Sequence, residues 1–173
     1  MEVREMPNWV KVIVHALDED VDFEKYTNDE GHFTFEKIVP MPKDIYRGDL
    51  GEEERKKYGA NNWYDWSCKH WGTKWDACET HTQDRTVEFE TAWSCPVPVL
   101  RELAKQVGGI LVFFADEDIG SNCGGFFVKK DGSIVEIEDR YIVANVIFNG
   151  LDLRDPSDAI WDFDWILGDD DDE

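Results

Sequence analysis

The sequence predicts an α+β protein with an antiparallel sheet and helices packed on one face of that sheet. Three observations support this class. Several short segments alternate apolar and polar residues, which is typical of half-buried strands. Residues 94–107 carry apolar side chains at helical spacing. Between residues 86 and 138 the predicted elements follow the order strand, helix, strand and hairpin, which places a helix against an antiparallel sheet.

The first half of the chain is predicted to be partly β and partly polar helix. Its elements are a strand over 8–16, a second strand over 32–40 and a helix over 51–59. The first strand rests on the alternation of Val10, Val12 and Val14, and the second is stopped by Pro40 and Pro42.

The second half contains the strongest signals. Its predicted elements are a strand over 85–93, a helix over 94–107, a central strand over 110–118 and a hairpin over 124–139, followed by an apolar segment, 141–150, that fits either a strand or a helix. Ser94 is the expected cap of the helix, Pro96 suits its first turn, and Gly108 and Gly109 end it. The hairpin is expected to turn at 130–132. The predicted core comprises Val12, Val14, Phe89, Leu100, Leu103, Val112, Phe114, Phe127 and Ile134.

The net charge of −21 is concentrated in two segments. Residues 17–30 carry seven acids and one lysine, and residues 152–173 carry ten acids and one arginine. Such a surface repels phosphate backbones and anionic membranes, so we expect no direct nucleic-acid binding and no membrane binding. Basic protein surfaces are the expected partners. We predict one domain over 1–151 and a separate acidic segment over 152–173.

The chain is expected to be cytoplasmic within a host cell. No apolar run approaches 18 residues, and the N-terminus lacks the apolar core of a secretory signal. The four cysteines are therefore expected to be free and largely buried thiols.

The stretch NNWYDWSCKHWGTKWDA, residues 61–77, holds half of the eight tryptophans, at Trp63, Trp66, Trp71 and Trp75. Because tryptophan buries a large apolar area, we expect these rings to build core, and a ligand-stacking platform is the alternative. Gly72 is expected to permit a turn that folds the last ring back, with a lysine over one ring as a cation–π partner.

Two alternatives involve metal ions. Four residues of the same region, Cys68, His70, Cys78 and His81, are possible zinc ligands, although their spacing matches no known finger. The second alternative is an enzyme of unrecognised type, in which Asp116 and Asp118 bind a divalent cation and His70 or His81 takes part in the reaction. The glycine-rich run 119–127 is better explained by a tight hairpin than by a phosphate cradle. We predict no metal, no cofactor and no catalysis.

Three blocks carry a family resemblance: FTFEKIVPMP (33–42), NWYDWSCKHWGTKWDA (62–77) and VEFETAWSCPVPVLREL (87–103). They resemble the Api92-like proteins of phages, plasmids and other mobile elements, which carry a YubB-type ferredoxin-like domain. The resemblance extends from about residue 33 to about residue 138. It implies a βαββαβ-type sandwich and no iron–sulfur cluster, and it implies no particular activity.

Charge and resemblance together predict a mobile-element accessory protein that binds and inhibits a basic host protein. A restriction or CRISPR nuclease is a natural target, because arrayed carboxylates can imitate the phosphates that such a protein binds. The predicted contact residues are acids of the two charged segments, namely Asp18, Glu19, Asp20, Asp22, Asp158, Asp162, Asp164 and Asp169. A structural or regulatory module without catalytic activity is the remaining alternative.

Overall fold

A computed structural model describes residues 8–116, 122–138, 143 and 146–147. The described residues form six strands, β1 (Trp9–Ala16), β2 (Cys78–Gln83), β3 (Thr86–Ala92), β4 (Gly109–Asp116), β5 (Cys123–Lys129) and β6 (Ile134–Ile137). They also form the α-helices α1 (Glu52–Tyr58), α2 (Trp63–His70) and α3 (Val97–Val107), and short 3₁₀ helices at Phe23–Tyr26 and Phe35–Lys37. None of these helices is long and apolar enough to cross a membrane.

The strands form one antiparallel sheet in the order β2-β3-β1-β4-β5-β6. Strand β1 lies between β3 and β4, and α3 connects these two flanking strands. The first four strands with their intervening helices have the βαββαβ order of a ferredoxin-like fold, and β5 and β6 extend the sheet beyond β4. This confirms the predicted α+β class with a ferredoxin-like antiparallel sheet.

One face of the sheet, the helical face, is covered by α2 and α3. Strand positions alternate between faces, so Val10, Val12 and Val14 all point to this side. They share a core with the apolar stripe of α3 and with Trp66 and Trp71 of the α2 region. The predicted core residues are buried, except that Phe114 and Ile134 are half-buried.

The opposite face has a second, smaller core. Its fully buried members on the strands are Ile13, Leu111, Phe113 and Phe127, and Val143 and Val146 pack against them. Val143 and Val146 are helical, which decides the ambiguous segment 141–150 in favour of helix at these positions. The sheet is therefore buried on both faces around β1, β4 and β5.

Helix α3 begins later than predicted. Its N-cap position is Pro96, and the Ser94 hydroxyl donates to the carbonyl of Gly72 at 2.6 Å instead of capping the helix. The helix ends as expected at Gly108, which has φ of 90° and so adopts the left-handed conformation that glycine favours.

Residues 32–40 do not form the predicted strand. Phe33 and Phe35 are both buried, but Thr34 accepts a hydrogen bond from the amide of Glu36 and starts a 3₁₀ turn. The amide of Phe35 donates to the Asp76 carboxylate at 2.6 Å, so a side chain takes the place of a neighbouring strand.

Candidate partner-binding surfaces

The four predicted contact acids after β1, Asp18, Glu19, Asp20 and Asp22, are all exposed. The other four predicted contact residues, Asp158, Asp162, Asp164 and Asp169, lie outside the described residues, as does the predicted segment 152–173 to which they belong.

Two of these acids also shape the loop that carries them. The Asp18 carboxylate accepts a hydrogen bond from the amide of Asp20 at 2.9 Å, and the Asp22 carboxylate accepts one from the amide of Glu24 at 2.8 Å. The second contact caps the 3₁₀ helix that follows. The loop is therefore fixed by its own acids, and their remaining oxygens face solvent.

The acidic loop continues into a cleft against the β2–β3 hairpin. The cleft measures about 470 Å³ and is lined by Glu19, Val21, Asp22, Glu24, Thr82, Asp84 and Arg85. Four of these residues are acids and one is a base. We call the loop and this cleft the acidic surface. Glu24 and Asp84 are not among the predicted contact residues. The position of Asp84 beside the loop could not be predicted, because β2 was not predicted.

Arg85 ties the acidic surface to the sheet beneath it. Its guanidinium donates to the carbonyl of Leu17 at 3.2 Å. Next to it, the ring of His15 is buried, and its Nδ1 lies 2.8 Å from the hydroxyl of Thr86. Burial, and secondarily the positive charge of Arg85, lower the pKa of His15 to about 4. This histidine is therefore neutral at pH 7 and supplies no charge to the surface.

The four tryptophans of residues 61–77 do not share one role. Trp66 and Trp71 are buried, as expected for core, and Trp71 Nε1 donates to the carbonyl of Val39 at 2.9 Å. Trp63 is half-buried and donates to the carbonyl of Gly48 at 3.0 Å. Gly72 has φ of 78°, which confirms the expected turn. The turn does not return Trp75 to the other three rings, because Trp75 packs elsewhere.

Trp75 is the middle member of a row of three rings at the surface. Its ring centroid lies 6.1 Å from that of Trp9 and 6.5 Å from that of Trp93, with interplanar angles of 34° and 26°. Lys74 Nζ lies 4.3 Å from the centroid of Trp75 and 4.9 Å from that of Trp93, which confirms the expected cation–π partner. The ring of Tyr64 is a third neighbour at 6.0 Å from the same nitrogen. We call the three rings of Trp9, Trp75 and Trp93 the aromatic row.

Trp93 holds its place in the aromatic row through a strained backbone. Its φ is 70°, a left-handed conformation that is an outlier for so bulky a side chain and costs about 1–3 kcal/mol. At 41% exposed, it is the only large apolar side chain classed as exposed in the described part of the chain. By strand alternation Trp93 would face the core with Val87 and Phe89. The positive φ sends it to the surface instead, and no sequence signal announces this.

Hydrogen bonds on both sides impose that conformation. The amide of Trp93 donates to the carbonyl of Asn8 at 2.9 Å. The Thr91 hydroxyl donates to the carbonyl of Ser94 at 2.8 Å, and the Thr73 hydroxyl donates to the carbonyl of Ala92 at 2.7 Å. Strain persists in a fold only where the surroundings determine it this strongly.

Asp76 anchors the loop that carries Lys74 and Trp75. Its carboxylate accepts from the hydroxyl of Thr34 at 2.5 Å, the amide of Phe35 at 2.6 Å and the amide of Ala77 at 2.8 Å. Burial raises the pKa of Asp76, and these hydrogen bonds only partly offset that effect. The aromatic row is thus built on a fixed loop.

The possible zinc ligands do not come together. His70 stacks on Trp66 with centroids 4.6 Å apart, and Cys68 is exposed on α2, whereas Cys78 and His81 belong to β2. Within the described ranges no group of three or more metal-ligating side chains could hold an ion. The four cysteines are free, but only partly buried or exposed.

Asp116 is placed away from the histidines proposed to work with it. Strands β2 and β4 are three positions apart in the sheet, which corresponds to roughly 14 Å and separates His81 from Asp116. Asp116 is buried and its Oδ1 has no hydrogen-bond partner among the described residues, while Asp118 lies outside them. The glycines of the predicted hairpin, Gly124 and Gly125, lie within β5 under the rings of Phe114 and Phe113.

Residues 70–164, more than half of the chain, match the family model described as the ferredoxin-like domain in Api92-like protein. The match includes β2 to β6 and α3, and it does not include β1 or residues 17–30. No curated protein and no solved structure matches the chain.

Proposed function

The chain belongs to the Api92-like family, and on that premise we propose that it is an acidic accessory protein of a phage or other mobile element that binds and inhibits a basic host protein. In this role the chain acts by covering a surface of its partner, so it needs no catalytic group, metal or cofactor.

The observation that carries the proposal is the acidic surface at the end of β1. Exposed acids from the loop at 18–22 stand beside Glu24 of the following turn and Asp84 of the β2–β3 hairpin. Two separate chain segments, 17–30 and the β2–β3 hairpin, thus contribute carboxylates to one region of a protein with net charge −21. Arg85 is the one base lining the cleft, and its guanidinium is already bonded to the carbonyl of Leu17.

Such a surface favours a partner with a basic cleft. Carboxylates held outward by a fixed loop present negative charges at short intervals, as a phosphate backbone does, and they steer a basic protein during diffusional encounter. A host protein that handles nucleic acid, such as a restriction or CRISPR nuclease, has a cleft of this kind. The acids of residues 152–173 carry the same charge and belong to the same proposal.

The test begins with affinity capture from a host lysate, followed by mass spectrometry to identify the partner. Association kinetics are then measured for the wild type and for a loop variant with Asp18→Asn, Glu19→Gln, Asp20→Asn and Asp22→Asn. We expect the loop variant to associate about tenfold more slowly at low salt, with a flatter dependence on ionic strength.

A matched control removes the same number of charges elsewhere. Asp44→Asn, Asp49→Asn, Glu52→Gln and Glu53→Gln alter exposed acids on and before α1, far along the chain from the acidic surface. The association rate of this variant should be much closer to that of the wild type than the rate of the loop variant is. Recognition through the acidic surface would be contradicted if the association rate of the captured partner changed neither with salt concentration nor with the loop substitutions.

A further inference from the structure

The aromatic row contains a cation site formed by two tryptophan rings, which we call the slot. Trp75 and Trp93 are nearly parallel, at 26°, with centroids 6.5 Å apart. One cation can therefore contact the faces of both rings. The slot is at the surface, because Trp93 is 41% exposed.

A cation already occupies this slot. Lys74 Nζ is within 5 Å of both centroids, at 4.3 Å and 4.9 Å. No carboxylate of the described residues lies within ion-pairing distance of Lys74, although the chain has 39 acids. The rings, and not an acid, therefore hold the ammonium, as the negative faces of indoles attract positive charge.

We propose that the slot formed by Trp75 and Trp93 is a binding site for the guanidinium group of an arginine on another molecule, and that Lys74 occupies it in the free protein. A guanidinium is planar and weakly hydrated and stacks on aromatic faces, whereas an ammonium is compact and strongly hydrated. The lysine side chain is flexible, so it can leave for solvent when the better-shaped cation arrives.

The strained backbone supports a binding role for the slot. Hydrogen bonds from residues 73, 91 and 93 fix the turn that presents Trp93. A ring whose position is fixed before binding loses little conformational freedom when the ligand binds, and this favours affinity. Net charge of −21 draws cationic ligands towards the protein from any direction.

This site goes beyond the proposed function, since it lies at the other end of β1 from the acidic surface. Trp9 begins β1 and Ala16 ends it, so the two regions are roughly 23 Å apart along the strand. Either region can therefore bind a ligand while the other has none bound.

The experiment follows the tryptophan indole N–H signals by NMR during titration with capped hexa-arginine. We expect saturable shifts of the Trp75 and Trp93 signals, assigned with Trp75→Phe and Trp93→Phe. The signals of Trp63 and Trp71, whose N–H groups are bonded to the carbonyls of Gly48 and Val39, should stay in place. Capped hexa-lysine, of equal charge, should bind the slot more weakly.

Two variants decide whether Lys74 is a competitor. Trp93→Ala should weaken slot binding by about twofold to fivefold, the worth of one exposed cation–π contact. Lys74→Ala should strengthen it by a similar factor, and more than Lys69→Ala, which removes the same charge from an exposed position on α2.

The proposal would be overturned by any of the following results: equal effects of Lys74→Ala and Lys69→Ala, equal binding of the two peptides, or stacking of adenosine monophosphate in the slot that is lost with Lys74→Ala. Peptide binding without any indole shift would also overturn it, while leaving binding through the acidic surface intact. Loss of the indole shifts in the loop variant of the acidic surface would show that the two regions are one site.

Discussion

His15 is a residue whose charge is set by its place in the fold. It lies on β1 with its ring buried against Thr86, and Arg85 is the nearby charge that acts on it. A histidine in such a position folds in the neutral form, because burial penalises the imidazolium and Arg85 repels it.

This arrangement predicts a specific loss of stability in mild acid. The pKa of His15 is about 4 in the folded chain, against an ordinary value of 6.5 for histidine. As the pH falls below 6.5 the unfolded chain takes up the proton first, so stability declines until about pH 4 and this group contributes no further change below that. The total decrease in the free energy of unfolding over this pH range is about 3 kcal/mol, and urea denaturation measures it.

His15→Asn, which keeps a polar group facing Thr86, should remove this component of the pH dependence. His32→Asn is the control, because it replaces an exposed histidine. If the His15 variant and the wild type lost stability in parallel between pH 6.5 and 4, the assignment to His15 would be wrong.

At the level of elements, the pair of glycines in β5 decides how the sheet packs. Gly124 lies opposite Phe114 of β4, and a Cβ at Gly124 would lie 2.9 Å from the ring of that phenylalanine. Gly125 is similarly placed, 3.0 Å from the ring of Phe113. The two phenylalanines therefore lie across β5, one on each face of the sheet.

Gly124→Ala should destabilise the fold by about 1–3 kcal/mol, because the added methyl group forces the Phe114 ring from its position. The measurement is again the free energy of unfolding. In the double variant Gly124→Ala with Phe114→Leu, the smaller side chain should relieve the overlap. The sum of the single effects should then exceed the effect of the double variant. Purely additive effects would argue against contact between the two positions.

The elements also show where reading the sequence succeeds. Strands β1 and β3, which have strong apolar periodicity, lie where the pattern predicts them, and α3 differs from its prediction only in beginning later. Strand β2 was missed because CETHTQ is polar and half-exposed along its whole length, as an edge strand on this sheet can be. Residues 32–40 alternate like a strand, yet a distant carboxylate, Asp76, takes the amide of Phe35, and no local pattern reveals that contact.

The candidate surfaces follow the same rule. Exposure of the acids at 18–22 could be predicted, because a dense run of carboxylates cannot be buried. The contributions of Glu24 and Asp84 depend on how the β2–β3 hairpin meets the loop, and that is a tertiary fact. The position of Trp93 depends on a left-handed φ that a tryptophan does not favour, so strand alternation cannot locate this ring.

For the whole molecule, net charge is a cost to stability as well as a means of recognition. Like charges repel one another in a compact chain at −21. The loop variant with neutral residues at 18, 19, 20 and 22 should therefore be more stable than the wild type at low salt, by roughly 1 kcal/mol. Asparagine at 18 and 22 keeps the oxygens that accept the two loop hydrogen bonds.

The difference between the two proteins should shrink towards zero at about 0.5 M salt, where the Debye length falls below 5 Å. Thermal melting at two salt concentrations measures it. A loop variant that is less stable than the wild type at low salt would show that these acids hold the fold together through contacts that Asn and Gln cannot replace.

The place of β1 in the sheet has a consequence for synthesis. β1 is completed at residue 16, but the strands that flank it, β3 and β4, span residues 86 to 116. At a translation rate of about 5–20 residues per second, its valines wait roughly 4–14 s for the first partner strand. An unpaired apolar strand on a ribosome is prone to associate with copies on neighbouring ribosomes. The acidic residues at 17–30 follow that strand directly in the chain, so they emerge with it and keep nascent copies apart until the sheet can close.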